Sequence, residues 1–227
     1  GTYRTKVEYE FIRAHLPPAP VNILDIAGGS GRIAVPLLRD GYDVTVNDID
    51  LPSLNLLSTR HVDRPARLIP GDFLTVEIPG QFDVALAMEC MGYFPFDQVL
   101  SRLRKLLKPG GMFIFTVRNS GSWRYYARGL AGRARSGEQV MKLRDYCSVC
   151  EKLGFDLFAI RGLMWFPLTV TSNSPLITIF GKLERILGLG ARHSQSPWLL
   201  MATSVIVALV LWRRQFASDS RRSLVQE

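Results

Sequence analysis

The sequence predicts an α/β fold built on a doubly wound, mostly parallel sheet. Short apolar runs typical of strands alternate along the first 120 residues with segments of helical spacing. The strand runs are nearly continuously apolar, as expected when helices cover both faces of a sheet. The stretch ILDIAGGSGR, residues 23–32, passes from such a run into three glycines, and this pattern is typical of a buried strand that opens into a ligand-binding turn. The 227 residues suffice for one large domain.

The first half of the chain supplies the alternating elements. Residues 6–16 have helical spacing, with Val7, Phe11 and Ile12 on one side, and PPAP at 17–20 ends this helix. The next predicted helix, at residues 30–41, contains Pro36, and a helix tolerates proline only in its first turn. Five strands are predicted at 21–27, 42–49, 66–73, 81–90 and 112–119, with helices at 30–41, 51–60 and 97–107 between them.

The second half begins by breaking this alternation. Residues 121–139 are rich in Gly, Arg and aromatic side chains, and we interpret them as a lid inserted after the fifth strand. We expect a single domain over 1–215, with a helical cap at 1–20, a variable substrate-side region at 163–197 and a flexible tail at 216–227. The later elements are helices at 142–153 and 177–190 and strands at 155–166 and 204–212.

The longest apolar run is residues 198–212. It is short for a membrane-spanning helix, which needs about 20 apolar residues. Its β-branched part, SVIVALVLW, favours a buried strand. A membrane contact stays open as an alternative, because Arg213 and Arg214 follow directly.

The net charge of +8 is confined to the second half. Residues 1–120 hold 13 Lys/Arg and 13 Asp/Glu, whereas residues 121–227 hold 15 and 7. A basic field of this kind suits an anionic small molecule, a membrane surface or nucleic acid, or it is simply a solvated surface.

Cysteine usage excludes a disulfide scaffold. The three cysteines are too few and odd in number. Cys147 and Cys150 form a CxxC inside a helical pattern, with no second pair to complete a zinc site. We therefore predict two helix-face cysteines, no metal site and a cytoplasmic protein, with peripheral membrane association as the alternative.

Two nucleotide chemistries compete for the glycine-rich turn. Gly29, Gly31 and Ala34 fit the dinucleotide pattern GxGxxG/A, which alone is weak evidence for NAD or FAD. Asp25 lies on the strand just before the turn. An anion there suits a cofactor that carries an ammonium group and does not suit a pyrophosphate. Asp48, at the end of the second strand, can accept from both ribose hydroxyls.

Four ordered stretches resemble class I S-adenosylmethionine-dependent methyltransferases of the small-molecule type, which have a Rossmann-like, seven-stranded sheet. They are LDIAGGSG, VTVNDID, GDF at 71–73, and FDVALAMECMGYF with RLRKLLKPGGMFIFTV. The first glycine of the family's D-x-G-x-G-x-G motif is Ala27 here, and we expect alanine to be tolerated. The Asn/Asp-Pro-Pro-Tyr/Phe quartet of DNA-base and protein-glutamine methylases is missing, so a nucleic-acid partner is disfavoured.

The resemblance implies S-adenosyl-L-methionine as the cofactor and methyl transfer to a small, hydrophobic or acidic acceptor by in-line displacement. Asp48 would hold the ribose hydroxyls, Asp72 the adenine amino group, and Glu89 the amino-acid end of the cofactor. The predicted cofactor-binding residues are Asp25, Ala27, Gly28, Gly29, Gly31, Asp48, Ile49, Asp72, Phe73 and Glu89.

Candidates for catalysis are Glu89, Tyr93 and His193, and candidates for acceptor binding are Tyr93, Trp123, Arg124, Tyr126 and Arg128. A general base is required only for an acceptor with a proton of high pKa. The methylated atom of the acceptor can be oxygen, nitrogen or carbon, and the sequence does not choose among them. Three alternatives remain: a membrane-surface methyltransferase of lipids or quinones, an NAD-dependent oxidoreductase, and a non-catalytic binding module on the same fold.

Overall fold

A seven-stranded sheet forms the centre of the computed structural model, which describes residues 2–60, 63–122, 125, 139–163, 179, 182, 183, 186 and 204–211. The helices are α1 (Thr2–His15), α2 (Ala34–Arg39), α3 (Leu51–Ser58), α4 (Phe96–Leu106) and α5 (Leu143–Lys152), with a 3₁₀ helix at Met91–Tyr93. The strands are β1 (Asn22–Ile26), β2 (Asp43–Asp48), β3 (Arg67–Pro70), β4 (Phe82–Ala87), β5 (Leu107–Arg118), β6 (Phe155–Leu163) and β7 (Ser204–Leu211).

The strand order is β3-β2-β1-β4-β5-β7-β6. The first five strands are parallel, and β7 runs antiparallel between β5 and β6. This arrangement confirms the predicted doubly wound, mostly parallel sheet. The chain order reverses between β1 and β4, and ligands of open α/β sheets bind in the crevice that such a reversal leaves at the carboxyl ends of the strands.

Two apolar clusters, one on each face, hold the helices to the sheet. Along β1, Ile23 belongs to the cluster with α1, α2 and α3, whereas Leu24 belongs to the cluster with α4 and α5. The same alternation occurs at Ile114 and Phe115 in β5. Successive strand side chains point to opposite faces, so strands covered on both faces need apolar residues at consecutive positions. The continuous apolar runs of the sequence have this cause.

Several elements differ in length from the sequence-based expectation. α1 already begins at Thr2, and α2 begins only at Ala34, after residues 30–33 have turned away from β1. Pro36 consequently lies in the first turn of α2, where a missing N–H costs nothing. β5 begins at Leu107 and includes the KPGG turn, and its register with β4 is irregular between Phe82 and Val84.

The apolar run at 198–212 contributes a strand to the sheet. β7 pairs with β5 from Met112↔Val210 to Arg118↔Ser204 and with β6 on its other side. This pairing confirms the strand interpretation. Among the helices of the described residues, none has the length and apolar character needed to cross a membrane.

The CxxC lies on α5, with Cys150 buried and Cys147 partly buried, which confirms two helix-face cysteines. Burial raises the pKa of both thiols. Most of the predicted lid at 121–139, most of the region 163–197 and the tail at 216–227 lie outside the described residues. The domain boundaries therefore stay predictions.

Candidate active site

The loop between β1 and α2 brings its backbone close to two neighbouring elements. A Cβ on Gly28 would lie 2.7 Å from Oδ2 of Asp25 and 2.8 Å from Val46, and a Cβ on Gly31 would lie 2.4 Å from Leu57. Gly31 also has φ +83°, in the left-handed region that disfavours other residues. The loop can follow this path only with glycine at both positions.

Ala27 has a left-handed backbone conformation, with φ +52°. This conformation costs an L-residue roughly 1–2 kcal/mol. The position corresponds to the first glycine of the motif. The positive φ explains why the family has glycine there, because glycine adopts this conformation without strain. Its methyl group borders the cavity described below. That cofactor binding tolerates this methyl stays a prediction.

Asp48 ends β2 and is tied to the glycine loop. Its Oδ2 accepts a hydrogen bond from the Gly29 N–H at 2.7 Å, and its Oδ1 accepts one from the Asp50 N–H at 2.8 Å. The neighbouring Asn47 is buried, and its Nδ2 donates to the carbonyls of Ile69 and Gly71, each at 2.9 Å. Asn47 thereby fixes the end of β2 against the loop that carries Asp72. Asn47 was not among the predicted site residues, although a polar residue inside an apolar strand was the available signal.

A cavity of about 500 Å³ opens at the carboxyl ends of β1, β2 and β4. This is the size range of small-molecule sites. Tyr93 and Ile49 are 76% and 74% exposed at its border. The residues that line it are Ala27, Asn47, Asp48, Ile49, Gly71, Asp72, Phe73, Leu74, Met88, Glu89, Cys90, Tyr93 and Phe94.

Asp25 lies beneath the loop, 2% exposed. Its Oδ2 has no hydrogen-bond partner among the described residues. The pKa of Asp25 is raised to about 7, mainly because burial disfavours the carboxylate; the charge of Arg32 lowers the pKa in part, and the charge of Asp48 adds to the rise. The protein therefore holds a carboxyl group under the cavity that a nearby cation would ionise.

The charges of the cavity select between the two nucleotide chemistries. Asp48, Asp72 and Glu89 line it, Asp25 lies beneath the glycine loop, and no Lys or Arg is among the lining residues that the structure describes. Such a wall repels a pyrophosphate and attracts a sulfonium or an ammonium group. Exposed apolar surface at Ile49, together with Phe73, suits the flat face of a purine. The residues present thus fit S-adenosylmethionine and do not fit a dinucleotide.

Glu89 connects this cavity to a smaller one of about 30 Å³. The small cavity is bordered by Arg4 of α1, residues 91–93, and the end of β5 at Thr116–Arg118. Glu89 has φ +67° and forms ion pairs with Arg4 and Arg32. This cavity alone has room for about one or two water molecules, and we name it the acceptor pocket after the role proposed for it below.

Arg4, Glu8 and Arg32 also lie at this site and were not among the predicted site residues. Glu8 is fully buried and pairs with both arginines. The sequence contains a signal for the burial of Glu8: it precedes Ile12 by one helical turn and so lies on the apolar side of α1. The predicted residues Trp123, Arg124, Tyr126, Arg128 and His193 lie outside the described residues.

Comparison with known proteins shows that the chain is similar to methyltransferases. A family model described as a methyltransferase domain matches residues 23–111. An uncharacterized methyltransferase of Mycobacterium tuberculosis is 29% identical over 144 residues, which are 59% of this chain and 73% of that protein. A ubiquinone biosynthesis O-methyltransferase of Bordetella avium is 26% identical over 161 residues, 65% of this chain and 67% of that protein.

Solved structures share the architecture at lower sequence identity. An S-adenosylmethionine-dependent methyltransferase from Mesorhizobium loti has a TM-score of 0.64 at 17% identity and covers 90% of this chain and 97% of its own. Magnesium protoporphyrin IX methyltransferase from Synechocystis, solved with bound S-adenosylhomocysteine, has a TM-score of 0.63 at 13% identity, with 92% and 82% covered. The motifs, the sheet order and these matches agree: residues 23–111 match a methyltransferase domain, and the chain has the fold of S-adenosylmethionine-dependent methyltransferases.

Proposed function

We propose that the chain transfers a methyl group from S-adenosylmethionine to a hydroxyl oxygen of a small, largely apolar acceptor. The acid-lined cavity beside the glycine loop is the observation that supports the cofactor. The family implies a small-molecule acceptor. The preference for oxygen rests on the relatives named ubiquinone biosynthesis O-methyltransferase and on the chemistry of the acceptor pocket.

The cofactor-binding assignments follow the positions of the side chains. Asp48 receives the ribose hydroxyls, Asp72 the adenine amino group, and Ile49 and Phe73 the purine faces. Glu89 and Asp25 stabilise the ammonium and sulfonium charges. When bound, S-adenosylmethionine supplies an electrophilic methyl group on sulfur, and the thioether that leaves is neutral.

The acceptor pocket combines apolar and cationic groups. Met91, Tyr93 and Val117 offer apolar surface and Arg118 contributes positive charge, whereas the charge of Arg4 is balanced by Glu8 and Glu89. A nearby cation favours the ionised form of a phenolic hydroxyl. With S-adenosylmethionine bound, such an oxygen would be the nucleophile for its methyl group, the neutral thioether would leave, and the hydroxyl proton would pass to solvent. The protein then acts mainly by orienting the two reactants and excluding water.

This arrangement changes the proposed roles of the candidate catalytic residues. Glu89 is engaged with Arg4 and Arg32, so we assign it to cofactor binding and not to proton abstraction. Tyr93 borders both cavities and is proposed to contact the acceptor. His193 stays a prediction as a catalytic residue, as do Trp123, Arg124, Tyr126 and Arg128 as acceptor-binding residues.

A panel of acceptors tests the chemistry. Purified protein is incubated with methyl-labelled S-adenosylmethionine and a set of catechols, hydroquinones, aryl carboxylates and aryl amines of similar size, with Asp48→Ala as the inactive control. We expect label in the catechols or hydroquinones only. Label in the amines or the carboxylates, or in no phenol at all, would contradict the assignment.

Deletion of residues 121–139 tests the proposed lid. If this segment covers the acceptor, its removal abolishes turnover but leaves binding of S-adenosylhomocysteine intact. Turnover that survives the deletion excludes the segment from the acceptor site.

A membrane-surface acceptor is the second candidate function. The relatives named for ubiquinone biosynthesis and the net charge of +8 in residues 121–227 favour it. Flotation with vesicles that contain anionic lipid distinguishes it, because a protein that acts on a soluble acceptor stays in the aqueous fraction.

A further inference from the structure

Glu8 is a fully buried carboxylate on the apolar side of a surface helix. Its neighbours along that side of α1, Val7, Phe11 and Ile12, pack into the core. A carboxylate is placed there only if other groups satisfy it. Arg4 donates to its Oε1 at 3.1 Å, Arg32 donates to its Oε2 at 2.5 Å, and Thr116 donates to Oε1 at 3.4 Å.

The same two arginines also reach Glu89. Nε of Arg4 lies 2.8 Å from Oε1 of Glu89, and Nη2 of Arg32 lies 3.5 Å from it. Both ion pairs involve Oε1 of Glu89, and Oε2 of Glu89 takes part in neither of them. Arg4 belongs to α1 and Arg32 to the turn after the glycines, so two cations from separate elements connect Glu8 to Glu89.

Fold stability does not account for this network. Desolvation largely offsets the attraction within a buried ion pair. Well-packed apolar residues at the same positions often give a protein equal or greater stability. The network holds two positive and two negative side chains. We interpret it as an arrangement that keeps these charged groups in fixed positions. What it fixes is Glu89, at the junction of the cofactor cavity and the acceptor pocket.

The backbone of Glu89 needs such support. Its φ of +67° is a conformation that a glutamate adopts at a cost. A strained residue at a site persists where its surroundings hold it. The two ion pairs are the contacts that hold the side chain of Glu89 in the described part of the chain.

We infer that Glu8, through Arg4 and Arg32, is a positioning residue of the methyl-transfer site that fixes the carboxylate of Glu89 between the cofactor and the acceptor. The inference rests on the proposed function, because it takes Glu89 to contact the cofactor. It makes α1 part of the active site, not only a packing element.

A double-mutant cycle on Glu8→Gln and Glu89→Gln tests this inference, read out as the affinity for S-adenosylhomocysteine by calorimetry, with thermal unfolding measured alongside. Each single variant is expected to bind about tenfold more weakly, and the double variant to lose little more than either single variant, since the two residues act as one unit. Glu10→Gln is the matched control, because Glu10 lies on the exposed side of the same helix. It should bind like the wild type.

The outcomes separate the inference from the function beneath it. If Glu8→Gln lowers the melting temperature but binds as tightly as the wild type, or if the losses of the two variants multiply, the inference fails. If the wild type itself does not bind S-adenosylhomocysteine, the proposed function fails. Should Glu8→Gln not fold, Arg4→Gln replaces it in the same cycle, because Arg4 links Glu8 to Glu89 and lies at the helix start; the same two outcomes then decide.

Discussion

Replacing Asp25 by Asn should stabilise the protein strongly at alkaline pH and much less at acid pH. Burial raises the pKa of Asp25 from its ordinary value of 3.8 to about 7 in the folded protein. The folded state therefore holds the proton more tightly than the unfolded chain. The free energy of unfolding of the wild type accordingly falls as the pH rises from about 4 to about 7, and stays reduced above that range.

The size of the effect follows from the two pKa values. At roughly 1.4 kcal/mol for each tenfold change in the ionisation constant, the difference amounts to about 4 kcal/mol at pH 9. Asparagine has nearly the shape of aspartate and carries no charge. Asp25→Asn should therefore recover up to that amount at pH 9 but only about 1.5 kcal/mol at pH 5, where the carboxyl is protonated in the folded protein and already ionised in the unfolded chain.

Urea denaturation at pH 5 and pH 9 measures this difference directly. Asp43→Asn is the matched control: Asp43 is exposed and pairs with Arg64 at the surface, so its change should stay below about 1 kcal/mol at both pH values. A gain for Asp25→Asn that is equal at both pH values, or a loss at pH 9, would refute the account of Asp25 as a buried acid without a partner.

The same residue should make cofactor binding dependent on pH. A cation bound above Asp25 favours the carboxylate, so binding of S-adenosylmethionine should release a proton near neutral pH, and affinity should rise between pH 6 and pH 8. Calorimetry in two buffers of different ionisation enthalpy detects the released proton. In Asp25→Asn the affinity should be weaker and should not rise over this range.

Three further substitutions address the loop and the cavity. Gly31→Ala should destabilise the fold by roughly 2 kcal/mol or more in thermal unfolding, because its Cβ would overlap Leu57 and its φ is left-handed. Ala27→Val should abolish binding of S-adenosylhomocysteine in a calorimetric titration, since a β-branched side chain would extend into the cavity from a strained backbone. Ile49→Asp should weaken that binding by about tenfold or more and leave the melting temperature within a few degrees, because the side chain is exposed without ligand. Unchanged binding in either of the last two variants would contradict the proposed cofactor position.

Much of the fold was predictable because its signals are local. Each parallel strand is covered on both faces, so it appears as an unbroken apolar run in the sequence. The acids at the strand ends were predictable for a related reason, since parallel strands place their carboxyl ends at one edge. Asp48 and Asp72 come together from chain positions that any doubly wound sheet would bring close.

The rest of the site depends on tertiary contacts that spacing does not encode. Arg32 pairs with Glu8 across 24 positions, and Thr116 reaches Glu8 across 108. Which surface helix covers which loop is set by the packing of whole elements, so these partners have no local signature. The left-handed backbone conformation of Glu89 could not be predicted from the sequence either, because glutamate rarely adopts it.

Binding of the cofactor through Asp48 is the central claim, and one calorimetric experiment tests it most directly. The purified protein is titrated with S-adenosylmethionine, S-adenosylhomocysteine and NADH, and each titration is repeated on Asp48→Ala. We predict dissociation constants on the order of micromolar for the first two ligands, weakened about a hundredfold or more in the variant, and no binding of NADH. Binding of NADH alone, or affinities for the first two ligands that do not change in Asp48→Ala, would contradict the account.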